Sequence, residues 1–143
     1  MKKRILVVDD NPDIRMVVQT VLEANDYFVD TAEDGDEALE FLNDAERVSQ
    51  LTAIILDILM PRLNGLEVLK KLRTQVHTRN VPVIMLTTEG LAQDIIKGYN
   101  EGAQYYIPKP FTSQQLLYGL NLVLEDGKDP LELELEKKIA ELE

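Results

Sequence analysis

The chain has 143 residues, of which 45% are hydrophobic and 29% are charged, a length and balance that suit one compact domain. It has no cysteine, which excludes disulfides and thiolate metal sites, and its formal net charge of −11 disfavours direct nucleic-acid binding. No apolar run approaches the roughly 20 residues of a membrane span, and the run after the basic start is too short for a signal peptide. We expect a cytoplasmic protein that contacts neither nucleic acid nor membranes.

Strand-like and helix-like segments alternate along the first part of the chain. Residues 5–8 are a continuous aliphatic run, which is typical of a strand buried on both faces. Asn11 and Pro12 suit the cap and the first position of the helix that follows. A second strand is predicted at residues 27–32. The second helix is predicted from one apolar face, formed by Ala38, Phe41, Leu42 and Ala45.

The same alternation continues through the rest of the chain. Residues 53–56 are predicted as a fully buried strand, and residues 81–86 as another, with Pro82 near its start. A weaker helix at about residues 91–101 and a short strand at 105–107 follow. The remaining helices are predicted from apolar stripes at Leu66, Leu69 and Leu72 and at Leu116, Leu117, Leu120, Val123 and Leu124. Five βα units predict an α/β fold, with helices on both faces of a parallel sheet.

The last residues, 127–143, are predicted to form a C-terminal helical extension or linker that follows one domain at residues 1–126. Gly127 suits a helix stop, and Asp129 and Pro130 suit the cap and first position of a new helix. One face of that helix would carry Leu131, Leu135, Ile139 and Leu142. The helix could pack on its own domain, form a dimer or lead into an output domain, and the sequence leaves these alternatives open.

Asp57 is the only charge in an otherwise apolar stretch, residues 53–61. Ligands of open parallel sheets bind beyond the carboxyl ends of the strands. The polar side chains that follow the predicted strands are Asp9, Asp10, Asp57, Thr87 and Lys109. Taken alone, each has an ordinary interpretation as a turn, cap, strand or loop residue. Their joint placement at one edge of the sheet indicates a functional site.

Three carboxylates in one crevice repel one another, which raises carboxyl pKa values. A hard divalent cation removes this repulsion, and Mg²⁺ is commonly held by one or two carboxylates together with a phosphate oxygen. The formal charges of the three aspartates, one Mg²⁺ and Lys109 sum to zero, so that a phosphoryl group could approach. We therefore predict phosphoryl transfer to Asp57, with Lys109 as a point charge and Thr87 as a hydroxyl donor.

Four motifs occur along the chain: VVDD at residues 7–10, LDILMPRLNG at 56–65, LTT at 86–88 and GAQYYIPKPF at 102–111. In this order and spacing they resemble the receiver domain of two-component response regulators, over roughly residues 3–125. The resemblance implies a flavodoxin-like, doubly wound sheet of five parallel strands in the order 2-1-3-4-5, with five helices. It also implies a signalling module rather than an enzyme, whose only catalysis is its own phosphorylation and dephosphorylation.

The resemblance further implies the roles of individual site residues. Asp57 would accept a phosphoryl group from a histidine kinase or a phosphotransfer protein. The implied Mg²⁺ ligands are Asp9, Asp10, Asp57 and the backbone carbonyl of Leu59. Asp9 would act largely through water, whereas the other three would bind directly. Lys109 would pair with the phosphoryl group, and its bond to Pro110 would be cis.

A switch between two states is also implied by the resemblance. When Thr87 bonds the phosphoryl group, Tyr106 would turn inward and shift the balance between the two states. This would reshape the surface made by the predicted helix at 91–101, the fifth strand and the last helix, where a downstream protein or output domain would dock. A dimer could form through the same surface or through the C-terminal helix. Tyr105 stands where the family frequently has an acid.

Two other functional classes are disfavoured by the residues after the first strand. A Mg²⁺-dependent phosphatase with an aspartyl nucleophile typically has an Asp-x-Asp pattern there, whereas Asp9 and Asp10 are adjacent. A flavin or nucleotide carrier would be expected to have a Gly-rich phosphate loop, and none follows the first strand. His77, the only histidine, is predicted to be a surface residue, and Gly65 is predicted to allow an unusual turn before a helix.

Overall fold

The computed structural model of the chain describes residues 3–88, 102–126, 138–139 and 141–142. Its strands are β1 (Lys3–Val8), β2 (Tyr27–Ala32), β3 (Ala53–Asp57), β4 (Val83–Thr88) and β5 (Tyr105–Lys109). Its helices in the same residues are α1 (Pro12–Ala24), α2 (Gly35–Leu42), α3 (Ala45–Ser49), α4 (Gly65–Thr74) and α5 (Ser113–Asp126). The described tail residues are helical. Within these residues, no helix has the length and apolarity needed to cross a membrane.

The five strands form one parallel sheet in the order β2-β1-β3-β4-β5, which confirms the predicted doubly wound, flavodoxin-like fold. β1 lies at the point where the strand order reverses. In such sheets this reversal opens a crevice at the carboxyl ends of the strands. The register pairs Val8 with Leu56, Asp57 with Leu86 and Thr88 with Lys109, so that these strands end close to the same level.

Two hydrophobic cores lie on the two faces of the sheet. Alternate residues of the central strand β1 enter different cores: Leu6 and Val8 face α2 and α4, and Ile5 and Val7 face α1 and α5. Strands β1, β3 and β4 are therefore buried on both faces, which explains their continuous aliphatic sequences. The predicted apolar helix faces supply the other side of each core.

Side-chain caps begin the helices at defined residues. The side chain of Asn11 accepts hydrogen bonds from the backbone N–H groups of Asp13 and Ile14, and Pro12 occupies the first position of α1, as predicted. α4 begins with a capping box in which Asn64 and Glu67 each accept a hydrogen bond from the other's backbone. These caps fix where each helix begins relative to the strand before it.

Several predicted boundaries are wrong. β1 begins at Lys3 rather than at residue 5, β4 ends at Thr88 rather than at residue 86, and β5 ends at Lys109 rather than at residue 107. A single second helix through Ala45 was expected, but α2 ends at Leu42 and α3 begins at Ala45. The break occurs because the side chain of Asp44 accepts hydrogen bonds from the N–H groups of Glu46 and Arg47, which starts a new helix. β4 begins at Val83 rather than at residue 81, after Pro82, which has no N–H to donate. The predicted helix at 91–101 and the predicted cap at Asp129 lie outside the described residues.

Candidate functional site

The carboxyl ends of four adjacent strands bring the predicted site residues to one edge of the sheet. Asp9 directly follows β1, Asp57 ends β3, Thr87 lies in β4 and Lys109 ends β5. Asp9 and Thr87 are 0% and 1% exposed, and Asp57 is 2% exposed. Because a buried carboxylate requires an opposite charge or hydrogen-bond donors, the partners of Asp9 and Asp57 determine what this edge of the sheet can bind.

Lys109 lies between the two buried carboxylates. Its Nζ is 2.8 Å from Oδ2 of Asp9 and 3.1 Å from Oδ1 of Asp57. The side chain of Lys109 extends past the end of β4 to reach these carboxylates, because β4 lies between β5 and β3 in the sheet. One positive charge thus compensates two negative charges, which leaves the site with excess negative charge before Asp10 is considered.

Every polar atom of Asp9 has a partner. Its Oδ1 accepts a hydrogen bond from the backbone N–H of Asn11 at 2.9 Å, and its Oδ2 accepts one from Lys109. Its backbone N–H donates to the carbonyl of Ala32 at 3.3 Å. Its own carbonyl accepts a hydrogen bond from Nη1 of Arg15 at 2.6 Å. Asp9 is consequently held rigidly, with both carboxylate oxygens already engaged.

Asp10 is exposed, in contrast to its neighbour. One carboxylate oxygen from each of Asp9, Asp10 and Asp57 can lie within 4.8 Å of the others, close enough to hold a metal ion. The ligand atoms are all oxygens, which suits a hard cation such as Mg²⁺. The acidic set therefore fits the predicted metal in both chemistry and charge.

Burial and like charge act together on Asp57. Burial raises the pKa of Asp57 to about 7, the charge of Asp9 adds to this effect, and Lys109 opposes it. Burial lowers the pKa of Lys109, but the hydrogen bond to Asp9 and the charges of Asp57 and Asp9 outweigh it, so that the pKa is raised. Lys109 is therefore a stable cation, and Asp57 would be fully ionised at neutral pH only with further positive charge nearby.

Gly65 determines how closely α4 approaches Asp57, a role that the sequence did not suggest. A Cβ atom at this position would lie 2.2 Å from the carbonyl oxygen of Asp57. The backbone N–H of Gly65 donates to the carbonyl of Ile58 at 2.8 Å, which closes the loop after β3. The prediction of an unusual turn at Gly65 is wrong, because the residue is the first of α4 and does not have a positive φ. Glycine is needed here because only a residue without a side chain fits so close to Asp57.

The loop between β3 and α4 is also held from its outer side. Arg62 has a left-handed backbone conformation, with φ of 67°, and its Nη2 lies 2.9 Å from Oδ2 of Asp34, the cap of α2. Leu59 lies in this loop with its side chain half exposed. Its backbone carbonyl as a metal ligand stays a prediction.

The two candidate switch residues are buried. Thr87 is 1% exposed, and Tyr106 is 7% exposed and packs in the core beneath α2 and α4. Tyr105 enters the opposite core, where a Cβ on Gly119 would lie 2.5 Å from its ring. The Lys109–Pro110 bond is cis, which confirms the expectation from the resemblance. Tyr106 thus already points inward, and its role as a switch stays a prediction.

His77 lies away from the acidic site. It is exposed, as predicted, and its Nε2 lies 2.8 Å from the carbonyl oxygen of Leu42. Among the described residues, the acidic set of Asp9, Asp10 and Asp57 is the one group of potential metal ligands. The single histidine is therefore not part of it.

Comparisons with known proteins agree with this geometry. Residues 5–121 match the family described as the response regulator receiver domain. The chain is 36% identical over 127 residues to the transcriptional regulatory protein CpxR homolog of Haemophilus influenzae, covering 89% of this chain and 52% of that protein. It is 38% identical over 128 residues to the response regulator MprA of Mycobacterium ulcerans, covering 90% and 53%. The chain thus spans about half the length of these relatives.

A solved structure shows the same likeness over its full length. The chemotaxis response regulator CheY4 of Vibrio cholerae matches with a TM-score of 0.79 and 36% sequence identity. The match covers 87% of this chain and 100% of that chain. Sequence and fold therefore agree on one group of similar proteins.

Proposed function

Because this chain belongs to the response regulator receiver domain family, whose members are phosphorylated on aspartate in two-component systems, we propose that Asp57 is its phosphoryl acceptor. The chain is a signalling module rather than a classical enzyme. One observation carries the choice of Asp57: it is a buried carboxylate at a strand end, 3.1 Å from the Lys109 ammonium and within reach of a potential metal centre. Asp9 has both oxygens engaged, and Asp10 is exposed.

In the proposed reaction a carboxylate oxygen of Asp57 attacks the phosphorus of a phosphohistidine donor. The new phosphorus–oxygen bond forms as the phosphorus–nitrogen bond breaks, and the imidazole nitrogen keeps the electron pair of the broken bond. Lys109 orients a phosphoryl oxygen by charge, from the position where it now contacts both carboxylates. Thr87, on the adjacent strand, donates a hydrogen bond from its hydroxyl to another phosphoryl oxygen.

The residues that would hold Mg²⁺ are Asp10, Asp57 and the backbone carbonyl of Leu59, with Asp9 acting through water. The engaged oxygens of Asp9 support this division, because direct coordination would compete with Lys109 and the Asn11 N–H. When bound, the cation would offset the charge of the carboxylates and of the phosphoryl oxygens. Asp57 with a pKa of about 7 in the metal-free site would then be ionised and able to attack.

Phosphorylation would control partner binding through Thr87 and Tyr106, which lie on adjacent paired strands. The surface we propose to respond is formed by residues 91–101, β5 and α5. A histidine kinase or phosphotransfer protein would supply the phosphoryl group, and a downstream protein or output domain would read the result. Dimerisation through this surface or through the C-terminal extension at 127–143, autodephosphorylation and a cytoplasmic location also remain proposals.

Intact-mass spectrometry tests the proposed acceptor directly. The protein is incubated with Mg²⁺ and a small phosphodonor such as acetyl phosphate, with and without EDTA. We expect one phosphoryl adduct on the wild type with Mg²⁺, and none on Asp57→Asn. Asp30→Asn is a matched control, because Asp30 is a partly buried carboxylate paired with Arg4 and lies on β2, away from the acidic set. An adduct on Asp57→Asn, or none on the wild type, would contradict the proposal.

A further inference from the structure

Arg15 contacts the acidic site without being part of the proposed chemistry. It is the fourth residue of α1 and is partly buried. Its Nη1 donates a hydrogen bond of 2.6 Å to the backbone carbonyl of Asp9, and no carboxylate in the described residues lies within ion-pair distance of it. The guanidinium is thus directed at the backbone of the site rather than at a neighbouring acid.

The carbonyl that Arg15 binds belongs to the peptide unit between Asp9 and Asp10. A peptide unit is planar, so the direction of its carbonyl fixes the orientation of the whole unit, up to the Cα of the next residue. The other side of Asp9 is held by its N–H bond to Ala32 and by its two side-chain bonds. With Arg15 on the carbonyl, the backbone leading into Asp10 has little freedom left.

Asp10 has no comparable restraint of its own. It is exposed, and its carboxylate forms no hydrogen bond or ion pair with any described residue. Its proximity to the carboxylates of Asp9 and Asp57 therefore depends on the backbone that carries it. Lys109 pairs with Asp9 and Asp57, whereas Asp10 is repelled by both and has no cation of its own in the described residues. Its carboxylate therefore stays near the other two only if its backbone is held there.

We propose that Arg15 is a positioning residue for the metal centre: it holds the Asp9–Asp10 peptide unit so that the Asp10 carboxylate stays near that of Asp57. This inference rests on the proposed function, since it concerns the same site. Arg15 would touch neither the cation nor the phosphoryl group. Its effect would pass through one backbone carbonyl, as groups that orient metal ligands commonly act.

A simple charge effect and a positioning effect have opposite signs here. Arg15 is a cation near a site for a second cation, so removing its charge should tighten Mg²⁺ binding by reducing repulsion. Removing a hydrogen bond that holds a ligand in place should weaken Mg²⁺ binding instead. The direction of the change in the dissociation constant therefore separates the two explanations.

The test compares Mg²⁺ dissociation constants, measured by isothermal titration calorimetry at fixed ionic strength, for the wild type, Arg15→Met and Arg15→Lys. We expect about 10-fold weaker binding for Arg15→Met, the low end of the usual effect of losing a group that orients a ligand. Arg15→Lys, which keeps a charged donor, should lie between the two. Arg79→Met is the matched control, because Arg79 is an exposed arginine beyond the far end of α4; its dissociation constant should match that of the wild type.

Urea unfolding in EDTA separates positioning from general damage. Arg15→Met should remain folded, with an unfolding midpoint close to that of the wild type, while its Mg²⁺ binding is weakened. Unchanged or tighter Mg²⁺ binding by Arg15→Met would overturn the role of Arg15 while leaving the proposed function intact. A wild type that binds no Mg²⁺ and accepts no phosphoryl group would overturn both.

Discussion

Two partly buried cations, Lys109 and Arg73, lie in very different surroundings. Lys109 is held by two carboxylates at the functional edge of the sheet. Arg73 lies near the end of α4, and its hydrogen-bond partners among the described residues are all neutral oxygens: the carbonyls of Gly102, Thr78, Arg79 and Val81 and the side chain of Gln104. The same helix therefore approaches Asp57 with its first residue and carries the second cation near its last.

The pKa values reflect this difference. The pKa of Lys109 is raised, because nearby carboxylates outweigh the effect of burial, whereas burial lowers the pKa of Arg73. Neutral carbonyls can satisfy the N–H groups of a guanidinium but supply no compensating charge. Arg73 thus connects fixed backbone segments, while Lys109 balances charges that are expected to change when a cation or a phosphoryl group binds. The acceptors thus distinguish the cation of the candidate site from the cation that joins backbone segments.

The largest loss of stability is expected when the hydrogen bonds of Arg73 are removed. Arg73→Met should lower the free energy of unfolding by about 3 kcal/mol or more, because it leaves the carbonyls of Gly102 and Val81 without the donor that Arg73 supplies. Urea unfolding measures the loss. Arg79→Met removes an exposed arginine and should change stability by less than about 0.5 kcal/mol. A loss below about 1 kcal/mol for Arg73→Met would show that water replaces the guanidinium readily.

The next effect concerns the acidic side of the comparison. Because the pKa of Asp57 is raised from 3.8 to about 7, ionising this carboxyl destabilises the folded state. The destabilisation is absent at low pH, grows as the pH rises above about 4, and is complete above about pH 7. Asp57→Asn should therefore be as stable as the wild type near pH 4 and more stable above pH 7, by up to about 4 kcal/mol. Urea unfolding in EDTA between pH 4 and 8 measures the difference.

The pH profile of this variant also has a built-in check. Saturating Mg²⁺ should reduce the advantage of Asp57→Asn at pH 8, since the cation stabilises the ionised wild-type carboxylate. If the advantage were the same at pH 4 and pH 8, loss of a titrating charge would not be its cause.

A smaller effect is expected at the contact between α4 and the acceptor. Gly65→Ala should cost about 2 kcal/mol and lower the rate of phosphoryl acceptance, because its Cβ would push against the Asp57 backbone. Gly119→Ala is the matched variant, since the three atoms nearest to its Cβ would belong to the side chains of Tyr105 and Ile107 rather than to the backbone. It should lose some stability yet accept phosphoryl groups at the wild-type rate. Equal rates for the two variants would argue against positioning by Gly65.

The smallest effect extends the comparison to an exposed cation. Arg62 is 68% exposed at its side chain and pairs with Asp34, so that Arg62→Ala should cost less than about 1 kcal/mol. Arg62→Gly loses the same ion pair but relieves a left-handed φ of 67°, and should be at least as stable as the wild type. Thermal unfolding of the two variants measures the gap. Arg62→Ala as the more stable variant would contradict this assignment of strain.

Most of the fold could be predicted because it depends on patterns that are local in sequence. The aliphatic runs of β1 and β3 predict strands buried on both faces, and the alternation of strands with helices predicts a parallel sheet. Once the sheet is parallel, Asp9, Asp57 and Lys109 must gather at one edge. The break before α3 was missed because Asp44 competes locally for N–H groups within a stretch whose apolar spacing continues to look helical.

The parts of the site that were missed depend on contacts between distant backbone and side-chain atoms. Neither the carbonyl contact of Arg15 nor the hydrogen bonds of Arg73 to Gly102 follow from residue type or spacing. Gly65 could have been found only by asking which backbone atoms a side chain there would meet. The roles of Leu59, Thr87 and Tyr106 depend on a bound state and stay predictions.

The short strand β5 joins three environments within five residues. Tyr105 enters one core, Tyr106 enters the other, and Lys109 reaches the two carboxylates. Substitutions in this segment must therefore satisfy three environments at once, since a backbone shift that accommodates one new side chain also moves its immediate neighbours. New partner preferences should arise more readily on outward-facing helical positions than along this strand.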